Sequence, residues 1–424
     1  MTFLLEVYQN QYLPEGATQV NAIITVTNEG PSGVGGEAVE VILLDTSGSM
    51  ADPPTKLREA VLATKAAIEC LRDGTYFAVV QGSNTAQVLY PPPHHDGGGL
   101  AVADPSTRQA AIASLTGLEA SGGTAIGEWL LVARDLSALR PEAIHHALLL
   151  TDGKNESQER ADFEAAIDAC RGQFQCDCRG VGTDFVPAEL RAVSTALLGS
   201  VEIIVDPSGM AADFRATIEA AMERDVGEVA LRVWVPQAAR IVFLKQVSNT
   251  IVDLTDMAAP VNALTADFPT GAWGADARDY HLCVDVPPQP VDAEMLAARV
   301  TLVVNGEPAD QGKVLALWTD DVARSTRINH HVAHYTGQEE LAEAIQAGLD
   351  ARNAGDEATA TARIRRAVQL AHETGNAAMS DLLARITEGD PTTGTFRLKP
   401  RVEDADLLTI DTRSTKTVRV QKHN

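Results

Sequence analysis

Between Glu37 and Glu223 continuous apolar runs alternate with amphipathic stretches, and this alternation constrains the fold more than any other feature of the chain. The run Val39–Leu44 is followed by PPTKLREAVLATKAAIECL, where Leu57, Val61, Ile68 and Leu71 share one face at helical spacing and the prolines with Thr55 mark a start. YFAVVQG and AQVLYP read as strands. TAIGEWLLVARDLSAL reads as a helix with Ile126, Leu130 and Ala133 in phase. AIHHALLL is a buried strand and RADFEAAIDAC a helix; CRGVG and VEIIV flank the helical PAELRAVSTALL, and AADFRATIEAAMER closes the series. Strands apolar on both faces, separated by helices, predict an α/β domain over 37–224: a doubly wound, mostly parallel, Rossmann-like sheet.

The flanking segments follow another grammar. Residues 1–36 and 225–330 carry period-two runs, among them FLLEVYQ, VNAIITVTN, VALRVWVP, YHLCVDVP and ARVTLVVNG. These predict an antiparallel β-sandwich. Their shared character places the α/β domain in or next to that sandwich, with the N-terminal strands contributing to it; the other arrangement is an N-terminal hairpin packed on the α/β domain. Residues 335–388 read as a small α-helical bundle with breaks at NAGD and ETGN. Residues 389–424, polar and threonine-rich, read as an extended or disordered tail.

At the predicted carboxyl ends of the parallel strands the residue types change. Asp45 directly follows Leu44, with Ser47 and Ser49 in the loop DTSGSM. Thr124 lies in SGGTAIGEW and Asp152 in LLLTDGKNE. Ligands of open parallel sheets bind beyond such strand ends. Taken singly, Thr124 could cap a helix and Asp152–Gly153 could be a turn. Taken together, the five residues offer oxygen and neither sulfur nor imidazole, which suits a hard cation: Mg²⁺, or Mn²⁺ or Ca²⁺. The charge balance agrees. With 34 basic against 58 acidic residues the net charge is −24, which disfavours nucleic acid and membrane surfaces and favours cations or basic partners.

DTSGSM matches the Asp-x-Ser-x-Ser signature of von Willebrand factor type A domains, and Thr124 and Asp152 match the later threonine and aspartate of their metal-ion-dependent adhesion site. The resemblance spans Val39 to Arg224 and includes GVGTDFVPAELRAV. It implies that Ser47, Ser49 and Thr124 coordinate the cation directly, while Asp45 and Asp152 act largely through bridging waters. It further implies a non-enzymatic interaction module in which a protein partner supplies an Asp or Glu to an open coordination position. The wider layout resembles cytosolic actinobacterial proteins of this family, often associated with forkhead-associated domains or Ser/Thr kinase signalling. Other relatives serve AAA-type ATPases, which gives the alternative of an accessory subunit.

A metal-dependent hydrolase is the enzymatic alternative. It needs a general base near Asp45, for which Glu156 is the candidate. No G-x-x-x-x-G-K-S/T loop and no G-x-S-x-G elbow occurs. Histidines are grouped at His94–His95, His145–His146 and His330, His331, His334; the last group could bind a transition metal, but is expected to be structural or solvated. The five cysteines, an odd number, suit a reducing cytosol, and Cys176 with Cys178 read as inert thiols. The N-terminus shows no signal-peptide pattern, and no apolar run approaches the ~20 residues of a membrane span. A cytoplasmic location is the expectation. In the tail, Thr409, Thr412, Ser414, Thr415 and Thr417 are candidate phosphorylation positions for a forkhead-associated reader, with LLTI as an added strand.

Overall fold

Every residue of the strand Ala38–Asp45 is buried, as its near-continuous apolar sequence requires of a strand covered on both faces. It pairs in parallel with Tyr76–Gly82 on one side and Ile144–Thr151 on the other. In this computed structural model, which describes residues 2–30, 36–93, 99–389, 396–399 and 401–420, the sheet continues through Gln175–Val181 to Val201–Ile204, again parallel. Ala86–Tyr90 and the short Ala101–Val102 add antiparallel pairing to Tyr76–Gly82. Ile42, Leu44, Phe77, Val79 and Leu148 of the sheet form one core with Ile68, Met210 and Phe214 of the helices. On the helix Ile126–Ser137, Trp129 is fully buried and its indole nitrogen donates to Ser83 O at 2.8 Å. Only glycine fits at position 82, since a Cβ there would lie 2.4 Å from the Trp129 ring. That close approach sets the helix, and the loop leading into it, over the strand ends.

The chain divides into two compact units: residues 32–227 with 272–274 form the α/β unit, and 1–31, 228–271 and 275–424 form the other. In the second unit Gln19–Asn28 pairs antiparallel with Phe3–Gln9 and, over nine residue pairs from Ala277↔Thr27 to Asp285↔Gln19, with Ala277–Asp285. Segments from both sides of the α/β sequence thus share one sheet, completed by Arg240–Gln246 and Val252–Asp253. A second sheet runs Ala259–Asn262, Thr265–Pro269, Val229–Trp234, Glu294–Val304, Glu307–Thr319 and Tyr12–Pro14. Val229, Leu231 and Val233 are buried while the intervening residues are not, the alternation expected of strands with one covered face.

Helices follow at His330–Asn353, Glu357–Glu373 and Ala377–Ile386, so the first starts at 330 rather than 335. The tail is neither extended nor disordered throughout: Asp404–Arg413 is a helix. Leu407 and Ile410 of the LLTI patch pack into the bundle core with Leu341, Ile345 and Leu383. Asp404 and Asp406 in the first turn and Arg413 in the last suit the helix dipole. Thr409, Thr412 and Ser414 are consequently buried, which is unfavourable for a kinase substrate. Beyond the helix the backbone is held by Ile251 N to Thr415 O (2.8 Å) and Val418 N to Gln338 Oε1 (2.9 Å), while Arg419 pairs with the buried Asp279 at 3.0 Å. No helix among the described residues is long and apolar enough to cross a membrane.

Toward the amino ends of the α/β strands lies a buried charge cluster. His146 Nδ1 is 2.8 Å from Glu40 Oε2 and Nε2 is 2.9 Å from Asp177 Oδ2. Both ring nitrogens face carboxylates, so both donate and the ring is an imidazolium. Burial opposes that charge, but Glu40 and Asp177 outweigh it and hold His146 at about 9. A histidine raised in the folded state contributes stability that is complete below its unfolded value, near 6.5, and lost as pH rises through about 9. Between pH 6.5 and 9.5 the wild-type protein should therefore lose on the order of 2 kcal/mol of unfolding free energy at this site. Urea unfolding of the wild type and of His146→Gln at both pH values checks this: the variant should start lower and lose markedly less across the window.

Candidate metal centre

Asp45, the last residue of its strand, is fully buried. Its Oδ1 accepts from Ser47 N at 2.7 Å, a local turn that reverses the chain into DTSGSM. Its Oδ2 accepts from Thr151 Oγ1 at 2.5 Å, across to the neighbouring strand end that leads into Asp152. Among the described residues Asp45 makes no ion pair, and burial raises its carboxyl to about 6 against the lowering effect of these hydrogen bonds.

Backbone bonds lace the loops together. Thr46 N donates to Gly82 O (2.8 Å), Gly48 N to Gly122 O (2.9 Å) and Ser121 N to Thr46 O (2.8 Å). Ala125 N donates to Ser83 O (3.0 Å) and Ser157 N to Thr124 O (2.9 Å). The hydroxyls are thereby brought together. Ser47 Oγ lies 2.9 Å from Ser49 Oγ, and Ser49 Oγ donates to Asp152 Oδ1 at 2.6 Å. A Cβ placed on Gly153 would stand 2.8 Å from Thr124 Oγ1, 3.2 Å from Ser49 Oγ and 3.7 Å from Ser47 Oγ. All five residues singled out in the sequence thus belong to one locality built from three loops.

Thr124 does not cap its helix. The helix Ile126–Ser137 has Ala125 at its N-cap with no side-chain bond. Its first amides are satisfied from the loop after Asp152: Ile126 N by Asn155 Oδ1 at 2.8 Å and Gly127 N by Gln158 Oε1 at 3.0 Å. The Thr124 hydroxyl is left for the site.

Sequence reasoning missed Lys56. Its ammonium lies 2.7 Å from Asp152 Oδ2 and 3.3 Å from Asp184 Oδ2. Burial works against that charge, but the bonds to Asp152 and Asp184 outweigh it and hold the amine above its ordinary value. A lysine in a helix's first turn resembles any solvated charge in sequence; only the fold shows that it turns inward. Of the two buried carboxylates, Asp152 is thus met by a buried cation and Asp45 by hydrogen bonds. An uncompensated buried carboxylate is costly, and a divalent ion beside neutral hydroxyl oxygens would relieve it, so the residues fit a hard cation.

The rival sites fare differently. Glu156, the candidate base, lines a neighbouring cavity of about 770 Å³ with Asn84, Glu128 and Asp162, and hydrogen-bonds none of the five residues. His331 stacks on Tyr8 with ring centroids 3.8 Å apart, and His334 Nε2 is 2.8 Å from Val418 O. His94 and His95 lie outside the described residues. Among the described residues no three His, Cys, Asp or Glu side chains group to hold a metal. Cys176 and Cys178 are buried with their sulfurs 4.0 Å apart; that contact together with burial pushes the Cys176 thiol well above its ordinary value, as for an inert thiol.

Comparison with known proteins bears on the fold. A family described as von Willebrand factor type A domain matches residues 40–203, and one described as von Willebrand factor type A C-terminal domain matches 369–414. Among solved structures, von Willebrand factor type A from Catenulispora acidiphila is 47% identical, with 99% of this chain and 97% of that chain covered and a TM-score of 0.94. The ArnB paralog VWA2 from Sulfolobus acidocaldarius shares the fold at 14% identity, 98% coverage of each chain and a TM-score of 0.62. No curated protein matches.

The cap supplied by Asn155 is separable from any ligand. Asn155→Ala should lower the unfolding free energy by about 1 kcal/mol. Asn155→Asp, which keeps the acceptor, should lose less than half of that in urea titrations at pH 7.

Proposed function

Because the chain belongs to the von Willebrand factor type A family, we propose that it is a divalent-cation-dependent protein-interaction module. Ser47, Ser49 and Thr124 hold the cation, Mg²⁺ or its substitutes Mn²⁺ and Ca²⁺, through their hydroxyls. Asp45 and Asp152 supply negative charge at one remove. The observation that carries this reading is the convergence of the three hydroxyls around Gly153, beside two buried carboxylates of which one, Asp152, is paired with a lysine.

Each residue has a defined task. The Asp45 carboxylate, fixed by Ser47 N and Thr151 Oγ1, orients the DTSGSM loop so that Ser47 and Ser49 face the same side. Asp152 accepts from Ser49, turning that hydroxyl's lone pairs toward the site. The bound ion supplies a Lewis-acidic position for an outside carboxylate. Neutral hydroxyl ligands leave it electron-poor, and Mg²⁺ keeps exchangeable positions. An Asp or Glu of a partner protein is the group that such a position recognises. The reading assigns no catalytic residue. Partner recovery from the native host with and without chelator distinguishes a forkhead-associated protein of a kinase pathway from an AAA-type ATPase.

Calorimetry with Mg²⁺ and Mn²⁺ tests the site directly. Wild type should bind one ion. Asp45→Ala and Gly153→Ala, the latter placing a methyl among the hydroxyls, should each weaken binding at least about tenfold, a loss of ~1.4 kcal/mol. Equal binding by all three proteins would refute the assignment.

A further inference from the structure

Lys56 occupies the first turn of the helix Thr55–Cys70, where a cation opposes the helix dipole. Its side chain is nevertheless only 8% exposed. Of its two partners, Asp184 is 66% exposed and solvent-screened, whereas Asp152 is fully buried. Asp152 is the partner that holds the lysine inward. Both oxygens of Asp152 are therefore engaged, Oδ1 by the Ser49 hydroxyl and Oδ2 by a fixed positive charge. Such an arrangement is a poor way to stabilise the helix and a poor way to retain a cation, since it sets an ammonium beside the place where the ion would bind.

We propose that Lys56 is a positioning residue: a built-in cation that holds Asp152 back from a bound divalent ion, weakening retention of the ion and leaving its charge available to an acidic group from outside. The inference rests on the metal-site reading. Coulomb repulsion between the buried ammonium and the ion is weakly screened. Asp152 Oδ2, committed to Lys56, cannot at the same time serve the ion. Removing the charge relieves the repulsion and frees the carboxylate, so ion binding tightens. A lysine that merely braced Asp152 would give the opposite sign, because its loss would loosen Asp152 and weaken the ion.

The test uses the full chain and Mn²⁺ alone as the probe. Lys56→Met and Lys56→Gln should bind Mn²⁺ about tenfold or more tightly than wild type, whereas Lys56→Arg should stay within about threefold of it. The glutamine variant keeps a donor toward Asp152 and decides the matter should the methionine variant fail to fold. Water-proton relaxation by the bound Mn²⁺ should report fewer exchangeable waters in the neutral variants, as Asp152 takes a coordination position. Wild-type binding with equal or weaker affinity in the neutral variants overturns the role of Lys56 alone. Binding by none of the four proteins overturns the metal-site reading and this inference with it.

Discussion

A carboxylate buried at the end of a parallel strand is the constraint on which the rest of the α/β unit turns. Asp45 has no exposure and no ion pair among the described residues, so its charge must be met by hydrogen bonds and by whatever occupies the site. The bond to Ser47 N bends the DTSGSM loop, and the bond to Thr151 ties that loop to the next strand end. From these two anchors the remaining loops are set by backbone bonds, Thr46 to Gly82 and Gly48 to Gly122. Trp129, seated against Gly82, fixes the helix that carries Thr124 over the same edge.

The two ends of the sheet treat buried charge in opposite ways. Toward the amino ends Glu40 and Asp177 enclose His146, and Arg224 approaches Asp177 at 3.8 Å, so each carboxylate has a cation in reach. Burial still raises Glu40, while His146 and the arginines hold Asp177 well below its ordinary value. That cluster is complete, enclosed and suited to structure alone. At the carboxyl ends one lysine serves Asp152 and none serves Asp45. The deficit lies where ligands of open parallel sheets bind, which sets the candidate site apart from the enclosed end of the sheet.

Much of this was legible in the sequence, and the failures share a cause. The α/β alternation was readable because buried parallel strands and amphipathic helices carry different periods. The five oxygen residues were readable because each sits at a strand end or in the loop beyond it. Lys56 was not, since a single charge in a helix's first turn gives no hint that it faces inward to Asp152. The tail was misjudged because Leu407 and Ile410 are too few to register as a helical stripe until the bundle supplies its other half. That the N-terminal strands join strands beyond the α/β segment was legible in their shared period-two character, whereas local pattern could not name Ala277–Asp285 as the partner of Gln19–Asn28, some 250 residues away.

The lacing of the loops also determines how far binding can vary without endangering the fold. Thr46, Gly48, Ser121, Ala125 and Ser157 are held through backbone atoms, so the positions of the Ser47, Ser49 and Thr124 hydroxyls do not depend on those hydroxyls themselves. Asp45 and Thr151 differ, because their side-chain bond joins two strand ends inside the core. A site built this way divides its labour. Buried groups with a part in folding hold the frame, and on the proposed function small neutral side chains on that frame meet the cation. Because the frame is held by backbone bonds and the hydroxyls contribute little charge, the proposed affinity for an ion would be governed by the few charged groups around it, Asp45, Asp152 and Lys56. Selection could therefore adjust how tightly the ion is held, and how strongly it attracts an outside carboxylate, by altering one charge at the rim rather than the hydroxyls or the sheet.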